Sequence, residues 1–370
     1  TPVLRAPSPA DVARVADLVR AHPRGLLVAG WGARVSPLIA ARFAECAGWP
    51  VLADPISQLR VPPFAISTYE ALLRAPAFAD DHCPDLVVRV GAPLTSKIAT
   101  SWLGPAIAQV LVDADGGWLD PARAASERLA VDADALLSAV ADALGSPAPP
   151  SPWRSEWQRA DSLARAAIDA VLDEPGDAIE ARVARDVAAA LPDGATLVVA
   201  SSIPVRALEW SMAPRAGLRV LANRGANGID GFVSTVVGVS QAESVPTVGP
   251  AVGLCGDLCF LHDTNGLLAS GGRATIVVLD NDGGGIFSYL PPADLPEFEQ
   301  LFGTPHGLDL VRVARAHGVT AERIDDVSEI AAVLERDDLR VIVVPIDRAK
   351  SLERHRALWD AAAHAISALR

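Results

Sequence analysis

The chain is short of several things at once, and each shortage removes a class of function. No uninterrupted apolar run reaches the roughly 18 residues that a bilayer-spanning helix needs, so no membrane insertion is expected. Positive charge is scarce: 32 Lys and Arg against 45 Asp and Glu leave a formal net charge of −13. Nucleic acids and anionic membranes are bound through basic faces, so neither is expected as a partner. Small anionic substrates stay open, because a few local arginines can override the global sign. The four cysteines, Cys46, Cys83, Cys255 and Cys259, match no zinc module and are too scattered for a disulfide framework. A reduced, cytoplasmic setting is the expectation. The first residues, Thr1-Pro2-Val3-Leu4-Arg5, carry no initiator Met and no basic-then-apolar leader pattern. That start reads as a cut inside a longer protein.

What is present is apolar and periodic. Half of the 370 residues are hydrophobic, enough for two cores, and two domains are the natural division at this length. Short β-branched runs alternate with amphipathic helical stretches, the pattern of parallel α/β sheets. In the first part, strands are expected at Gly25–Gly30, Pro50–Ala53, Leu86–Gly91 and Gln109–Asp113. Helices include Pro9–Ala21 and Ser36–Ala47, and Asp120 to Gly145 adds one more strand and a helix. The run Ser146-Pro147-Ala148-Pro149-Pro150-Ser151-Pro152 fixes an extended spacer. The expected organisation is therefore a Rossmann-like domain over 1–150, a Pro- and Trp-containing linker with its own helix over 151–174, and a second α/β domain over 175–370.

In the second part, strands are expected at Thr196–Ser201, Arg219–Asn223, Ala251–Gly256, Ala274–Asn281 and Arg340–Ile346. Helices are expected at Asp177–Ala190, Gly231–Gln241, Asp263–Ser270, Leu308–His317, Val327–Arg336 and Lys350–Leu369. The fold class is α/β, with two doubly wound parallel sheets. Ligands of such sheets bind beyond the carboxyl ends of the strands. Two of those ends are unusual. One is Gly253-Leu254-Cys255-Gly256-Asp257-Leu258; the other is Val277-Val278-Leu279-Asp280-Asn281-Asp282-Gly283-Gly284-Gly285-Ile286-Phe287. About 24 residues separate Asp257 from Asn281, the length of one strand–helix–strand crossover, so the two groups can converge. A carboxylate, an amide oxygen and a free carbonyl near Gly283 form the hard oxygen set that a divalent cation on a diphosphate requires. Gly30-Trp31-Gly32-Ala33 lacks the third glycine and the later acid of a dinucleotide site and reads as vestigial, with no cofactor.

The Gly256-Asp257-Leu258 and Asp280-Asn281 pair resembles the thiamine-diphosphate (ThDP) signature, with Leu258 and Asp280 varied as in one subgroup. Four further segments point to that subgroup: Ser201-Ser202-Ile203-Pro204-Val205-Arg206, Asn223-Arg224-Gly225-Ala226-Asn227-Gly228-Ile229-Asp230-Gly231, the glycine-rich run to Ser288, and Phe302-Gly303-Thr304-Pro305-His306-Gly307. Together they resemble the MenD family, the 2-succinyl-5-enolpyruvyl-6-hydroxy-3-cyclohexene-1-carboxylate synthases.

That resemblance implies ThDP and Mg²⁺ (or Mn²⁺) as cofactors. Asp257, Asn281 and the Gly283 carbonyl would hold the metal, and Gly256, Leu258, Asn227, Gly228 and Ile229 would border ThDP. Ile229 would wedge the cofactor into its bent form. Arg206 and Arg224 would act in catalysis and receive substrate carboxylates, as guanidinium suits them. Ser202 would add a hydrogen bond, and Ile286, Phe287 and Leu290 an apolar wall. Lys97, after the strand ending at Gly91, would be a basic residue of the site, although Ile98 stands where a second basic residue would. The implied reaction decarboxylates 2-oxoglutarate and joins the succinyl-semialdehyde carbanion equivalent to isochorismate in menaquinone biosynthesis. A homodimer or homotetramer of the full-length protein is implied too. So is an N-terminal pyrimidine-binding domain, supplying a catalytic glutamate, whose absence would leave this chain binding metal–diphosphate weakly and inactive alone. Two rivals are another ThDP carboligase of the acetohydroxyacid-synthase sort and a non-catalytic module of the same fold. Arg34, Arg60 and Arg89 of the first part could line an anion pocket, but are expected as solvated surface residues.

Overall fold

The computed structural model describes residues 5–117, 119–147, 151–223, 226–242, 249–269, 272–334, 338–367 and 369. Its chain divides into two compact units: Thr1–Ile168 with Ala213–Ala216 and Trp359–Arg370, and Asp169–Met212 with Gly217–Leu358.

The first unit is a six-stranded sheet of β1 (Gly25–Ala29), β2 (Val51–Ala53), β3 (Ala65–Ile66), β4 (Leu86–Val90), β5 (Ala108–Val112) and β6 (Glu127–Leu129). The order is β3-β2-β1-β4-β5-β6 and the pairings are parallel. Burial on both faces explains why β1 and β4 are near-continuous apolar runs. The helix Pro9–Ala21 starts where the sequence signals it. Ser8 accepts from the Asp11 N–H at 3.1 Å, and Asp11 accepts the Ser8 N–H at 3.1 Å. Trp153 and Trp157 lie on the helix Pro152–Asp173. The Trp153 indole donates to the Gly25 carbonyl at 2.9 Å, and Trp157 packs on Phe78 and Trp102.

Two of the three arginines expected at the surface are buried. Arg89 is 7% exposed, because its place in a central strand leaves it nowhere else to go. Its guanidinium donates to Gln109 and Asp120, both at 3.1 Å. Arg60 is 2% exposed, donates to the Ala53 carbonyl at 2.9 Å and lies over the Tyr69 ring. Only Arg34 stays outside, in an ion pair with Asp115 at 2.8 Å.

The second unit holds β7 (Thr196–Val199), β8 (Arg219–Ala222), β9 (Ala251–Gly256), β10 (Ala274–Asp280), β11 (Thr320–Arg323) and β12 (Arg340–Pro345). Their order is β11-β12-β10-β9-β7-β8, with parallel pairing throughout. Alternate residues of β9 and β10 (Ala251 and Cys255; Ala274, Ile276 and Val278) join a core with Phe232, Val233, Val236, Phe260, Leu310 and Ala314. The chain leaves β7 for β8 on one side and later leaves β9 for β10 on the other. This reversal opens the crevice that ligands use in such sheets.

β3 and β11 are additions to the expected strands. β11 reads Thr-Ala-Glu-Arg, and as an edge strand it needs no apolar pattern. The helix expected at Asp263–Ser270 instead begins at Asp257, ends at His262 and is followed by a 3₁₀ turn, Thr264–Leu268. β9 runs straight into it, so the acid sits on the first helical turn, where the helix dipole favours negative charge.

Candidate active site

The carboxyl ends of β8, β7, β9 and β10, four neighbours in the sheet, carry nearly all of the expected site. Asp257 follows β9 and is 2% exposed. Its Oδ2 accepts the backbone N–H of Asn281 at 3.1 Å and of Gly283 at 2.8 Å, and its Oδ1 accepts the Leu258 N–H at 2.6 Å. The two strand ends therefore meet on one side of the sheet. Burial pushes the Asp257 carboxyl above the usual range, against the pull of the Gly283 and Leu258 N–H groups and of His306.

Asn281 is 7% exposed. Its Nδ2 donates to Glu180 at 3.3 Å, while its Oδ1 has no hydrogen-bond partner among the described residues. A buried acceptor left so costs about 1–3 kcal/mol unless a ligand meets it. The Gly283 carbonyl accepts the Gly285 N–H at 3.0 Å and keeps a second lone pair. Three acceptor oxygens with no competing thiolate suit a hard cation. The residues present fit the implied metal.

The triple glycine is a steric necessity. A Cβ on Gly283 would stand 2.0 Å from the Gly303 carbonyl oxygen, and one on Gly284 2.0 Å from that of Phe302. The φ of Gly283, +126°, excludes an ordinary side chain as well. This close approach seats the loop against the segment that carries His306. Two backbone N–H groups of that segment, His306 and Gly307, are accepted by Asp282 at 2.9 and 2.8 Å.

Asp280, His306 and Glu180 carry no role predicted from the sequence. Asp257, Asp280 and His306 each place one donor atom within 4.8 Å of the others. The Leu308 N–H donates to His306 Nδ1 at 3.0 Å, so the neutral ring carries its proton on Nε2. That Nε2 lies 3.5 Å from Asp257 and 3.9 Å from Asp280. A protonated Nε2 faces both carboxylates beyond hydrogen-bond length, without a hydrogen-bond partner among the described residues, and cannot serve as a metal ligand. Burial, and then the Asp257 charge, push the Asp280 carboxyl up.

On the far side, Ser202 has a φ of +74° at the start of the helix Ile203–Ser211. Arg206, one turn on and half-buried, donates to the Ser202 carbonyl at 2.8 Å. A Cβ on Gly228 would meet Ser201 at 3.1 Å, so the Asn227-Gly228-Ile229 turn folds onto the end of β7. The turn is tied by Asn227, which donates to Asp230 through its backbone N–H at 2.8 Å and its side chain at 2.7 Å. The Ile229 carbonyl accepts from Cys259 at 3.8 Å, which links the turn to the helix that Asp257 opens.

Ile286 is half-buried, whereas Phe287 and Leu290 are 36% and 42% exposed. They form an open apolar surface in this chain and not a closed wall. Arg224 lies outside the described residues. Lys97 belongs to the first unit, exposed at the first position of the helix Lys97–Trp102.

The family model described as "Middle domain of thiamine pyrophosphate" matches residues 7–199, just over half of the chain. That defines the class, a thiamine-pyrophosphate enzyme. The chain is 41% identical over 347 residues to the 2-succinyl-5-enolpyruvyl-6-hydroxy-3-cyclohexene-1-carboxylate synthase of Thermobifida fusca, covering 93% of this chain and 61% of that protein. It is 37% identical to the synthase of the same name from Chloroflexus aurantiacus, over 99% of this chain and 65% of that protein. For the Myxococcus xanthus synthase the figures are 40%, 95% and 62%. The chain belongs to the MenD family, and it spans about three-fifths of the length of these relatives.

Proposed function

We propose that this chain contributes the diphosphate- and metal-binding half of the active site of a 2-succinyl-5-enolpyruvyl-6-hydroxy-3-cyclohexene-1-carboxylate synthase. The observation that carries the reading is the buried Asp257–Asn281 pair with its unmatched Asn281 Oδ1. Asp257 Oδ1, Asn281 Oδ1 and the Gly283 carbonyl would hold Mg²⁺ or Mn²⁺ against the diphosphate of ThDP. When bound, ThDP supplies the electron sink for decarboxylating a 2-oxo acid and forming a carbon–carbon bond.

The remaining work falls to the protein. Gly256 and Leu258 border the diphosphate, and the Asn227-Gly228-Ile229 turn offers the Ile229 side chain as a support for a bent cofactor. Arg206, held by the Ser202 carbonyl, is placed to receive a carboxylate of a dicarboxylic substrate such as 2-oxoglutarate or isochorismate. Arg224 is assigned to the second carboxylate and Lys97 to an accessory contact, both on sequence alone. Orientation at two carboxylates fixes which carbon faces the reacting centre. Ile286, Phe287 and Leu290 supply apolar surface that keeps water from the reacting carbon. A second subunit of the full-length protein would cover their exposed faces, as a homodimer or homotetramer, and a cytoplasmic setting fits a chain with no membrane-crossing helix among its described residues.

A binding titration and a substrate comparison test the reading. ThDP should bind with Mg²⁺ present and lose affinity on chelation. The enzyme that carries this chain should consume 2-oxoglutarate in preference to pyruvate. Preference for pyruvate would favour the acetohydroxyacid-synthase type instead.

A further inference from the structure

An asparagine amide has two ends of nearly the same shape and opposite chemistry. As a metal ligand it works only when the oxygen faces the ion, and nothing in the side chain enforces that choice. In this structure the choice is made from behind. Glu180 is 2% exposed and is the first residue of the helix Glu180–Ala190. A carboxylate only accepts, and Glu180 Oε1 accepts the Asn281 Nδ2–H at 3.3 Å. Its other oxygen accepts the hydroxyl of Ser351, itself 1% exposed, on the helix Arg348–Ser367. Both carboxylate oxygens are thus engaged. The helix N-terminus adds a favourable field for the negative charge.

Gly285 completes the clamp. A Cβ there would sit 2.4 Å from Asn281 Nδ2, so only glycine leaves the amide its room. The result is an Asn281 whose nitrogen is occupied and whose buried oxygen is unmatched.

We propose that Glu180 is a positioning residue for the cation site: it fixes the Asn281 amide with Oδ1 turned to the metal, Ser351 holds Glu180 in place, and Gly285 makes room for the rotamer. The inference rests on the metal–diphosphate reading of Asp257 and Asn281. Groups that orient metal ligands from behind change metal affinity by about 10- to 100-fold when altered. Glu180→Gln removes the acceptor-only character, because a glutamine can face Asn281 with either end.

The bland alternative is that Glu180 merely ties two helices together through Ser351. The two roles separate experimentally. Mn²⁺ binding to the enzyme that carries this chain, at saturating ThDP, is followed by electron paramagnetic resonance of the free ion, and unfolding temperature is measured on the same samples. Glu180→Gln is expected to weaken Mn²⁺ binding ~10- to 100-fold, the range given for such outer contacts. Ser351→Ala removes the helix tie and loosens Glu180 while leaving the Asn281 contact; it should lower the unfolding temperature and weaken Mn²⁺ binding, but by less than Glu180→Gln does.

Asn281→Asp sets two carboxylates against each other and should bind Mn²⁺ poorly. Adding Glu180→Gln to it supplies an amide donor and should recover binding to within a few-fold of the unaltered chain. Glu180→Asp, which draws the carboxylate back by one methylene, replaces Glu180→Gln if that variant does not fold. Mn²⁺ affinity unchanged in both Glu180 variants, or no recovery in the double variant, overturns the positioning role alone. Absence of ThDP-dependent Mn²⁺ binding in the unaltered enzyme overturns the underlying site assignment and this proposal with it.

Discussion

Asp257 accepts the backbone N–H of Asn281 at 3.1 Å, so the ends of β9 and β10 are joined through the acid and not merely adjacent. A second bond from the Gly283 N–H, at 2.8 Å, fixes the start of the glycine loop to the same oxygen. Both proposed side-chain ligands are therefore set by one carboxylate, which ties the shape of the loop to the ability to hold a cation.

Asp257→Ala is expected to remove a ligand and the anchor of the loop together. Metal-dependent ThDP affinity should fall by more than the ~10- to 100-fold of an outer contact, because an inner ligand is lost. Calorimetric titration with Mg²⁺ present checks this. Affinity equal to that of the unaltered chain would remove Asp257 from the site.

Gly284→Ala carries no chemical group into the site, yet its Cβ would stand 2.0 Å from the Phe302 carbonyl oxygen. Overpacking of this kind costs about 1–3 kcal/mol. Thermal unfolding should show a lowered midpoint, and ThDP binding should weaken as the loop moves. A variant as stable as the parent would mean that the loop is not seated against that segment.

Arg206→Ala should raise KM for a dicarboxylic 2-oxo acid in the enzyme that carries this chain. A hydrogen bond to a charged group contributes about 1.5–3 kcal/mol, or ~10- to 100-fold. KM for a neutral 2-oxo acid should change little. Equal losses for both substrates would show that Arg206 acts through the fold, by way of the Ser202 carbonyl, and not on a carboxylate.

Asp120 gives a pH prediction away from the site. Burial raises its carboxyl, but the Ala125 N–H and the Arg89 guanidinium outweigh that and hold it below the usual range. A depressed folded-state value makes its stabilising contribution full above about pH 4, the unfolded value, and lost as pH falls through the folded one. Asp120→Asn leaves a buried Arg89 with less to pair with. It should destabilise the protein by about 1–3 kcal/mol near neutrality and reduce the steepness of acid unfolding. Identical acid profiles for the two proteins would refute the pairing.

Much of this was legible in the residues, and the legible part has a common cause. Gly256-Asp257 and Asn281-Asp282-Gly283 stand at the ends of apolar runs that can only be buried strands, so the backbone there must turn and its polar groups must converge. What escaped depends on contacts across long stretches of chain. Glu180 reads as an ordinary acid in the first turn of a helix, and only its partners Asn281 and Ser351 show it to be buried. His306 sits in a turn whose position is set by carbonyl approaches to Gly283 and Gly284. Arg89 looks like a surface charge until the strand order is known, and Arg60 until the Ala53 carbonyl and the Tyr69 ring are found beside it. The polar edge strand β11 carries no pattern to read.

Calorimetric titration of ThDP into the enzyme that carries this chain decides whether the two strand ends form one cation–diphosphate site. With Mg²⁺ present, one ThDP per chain should bind; removing the metal, or replacing Asn281 with Ala, should abolish most of the affinity. Binding that is indifferent to both the metal and Asn281 would contradict the account.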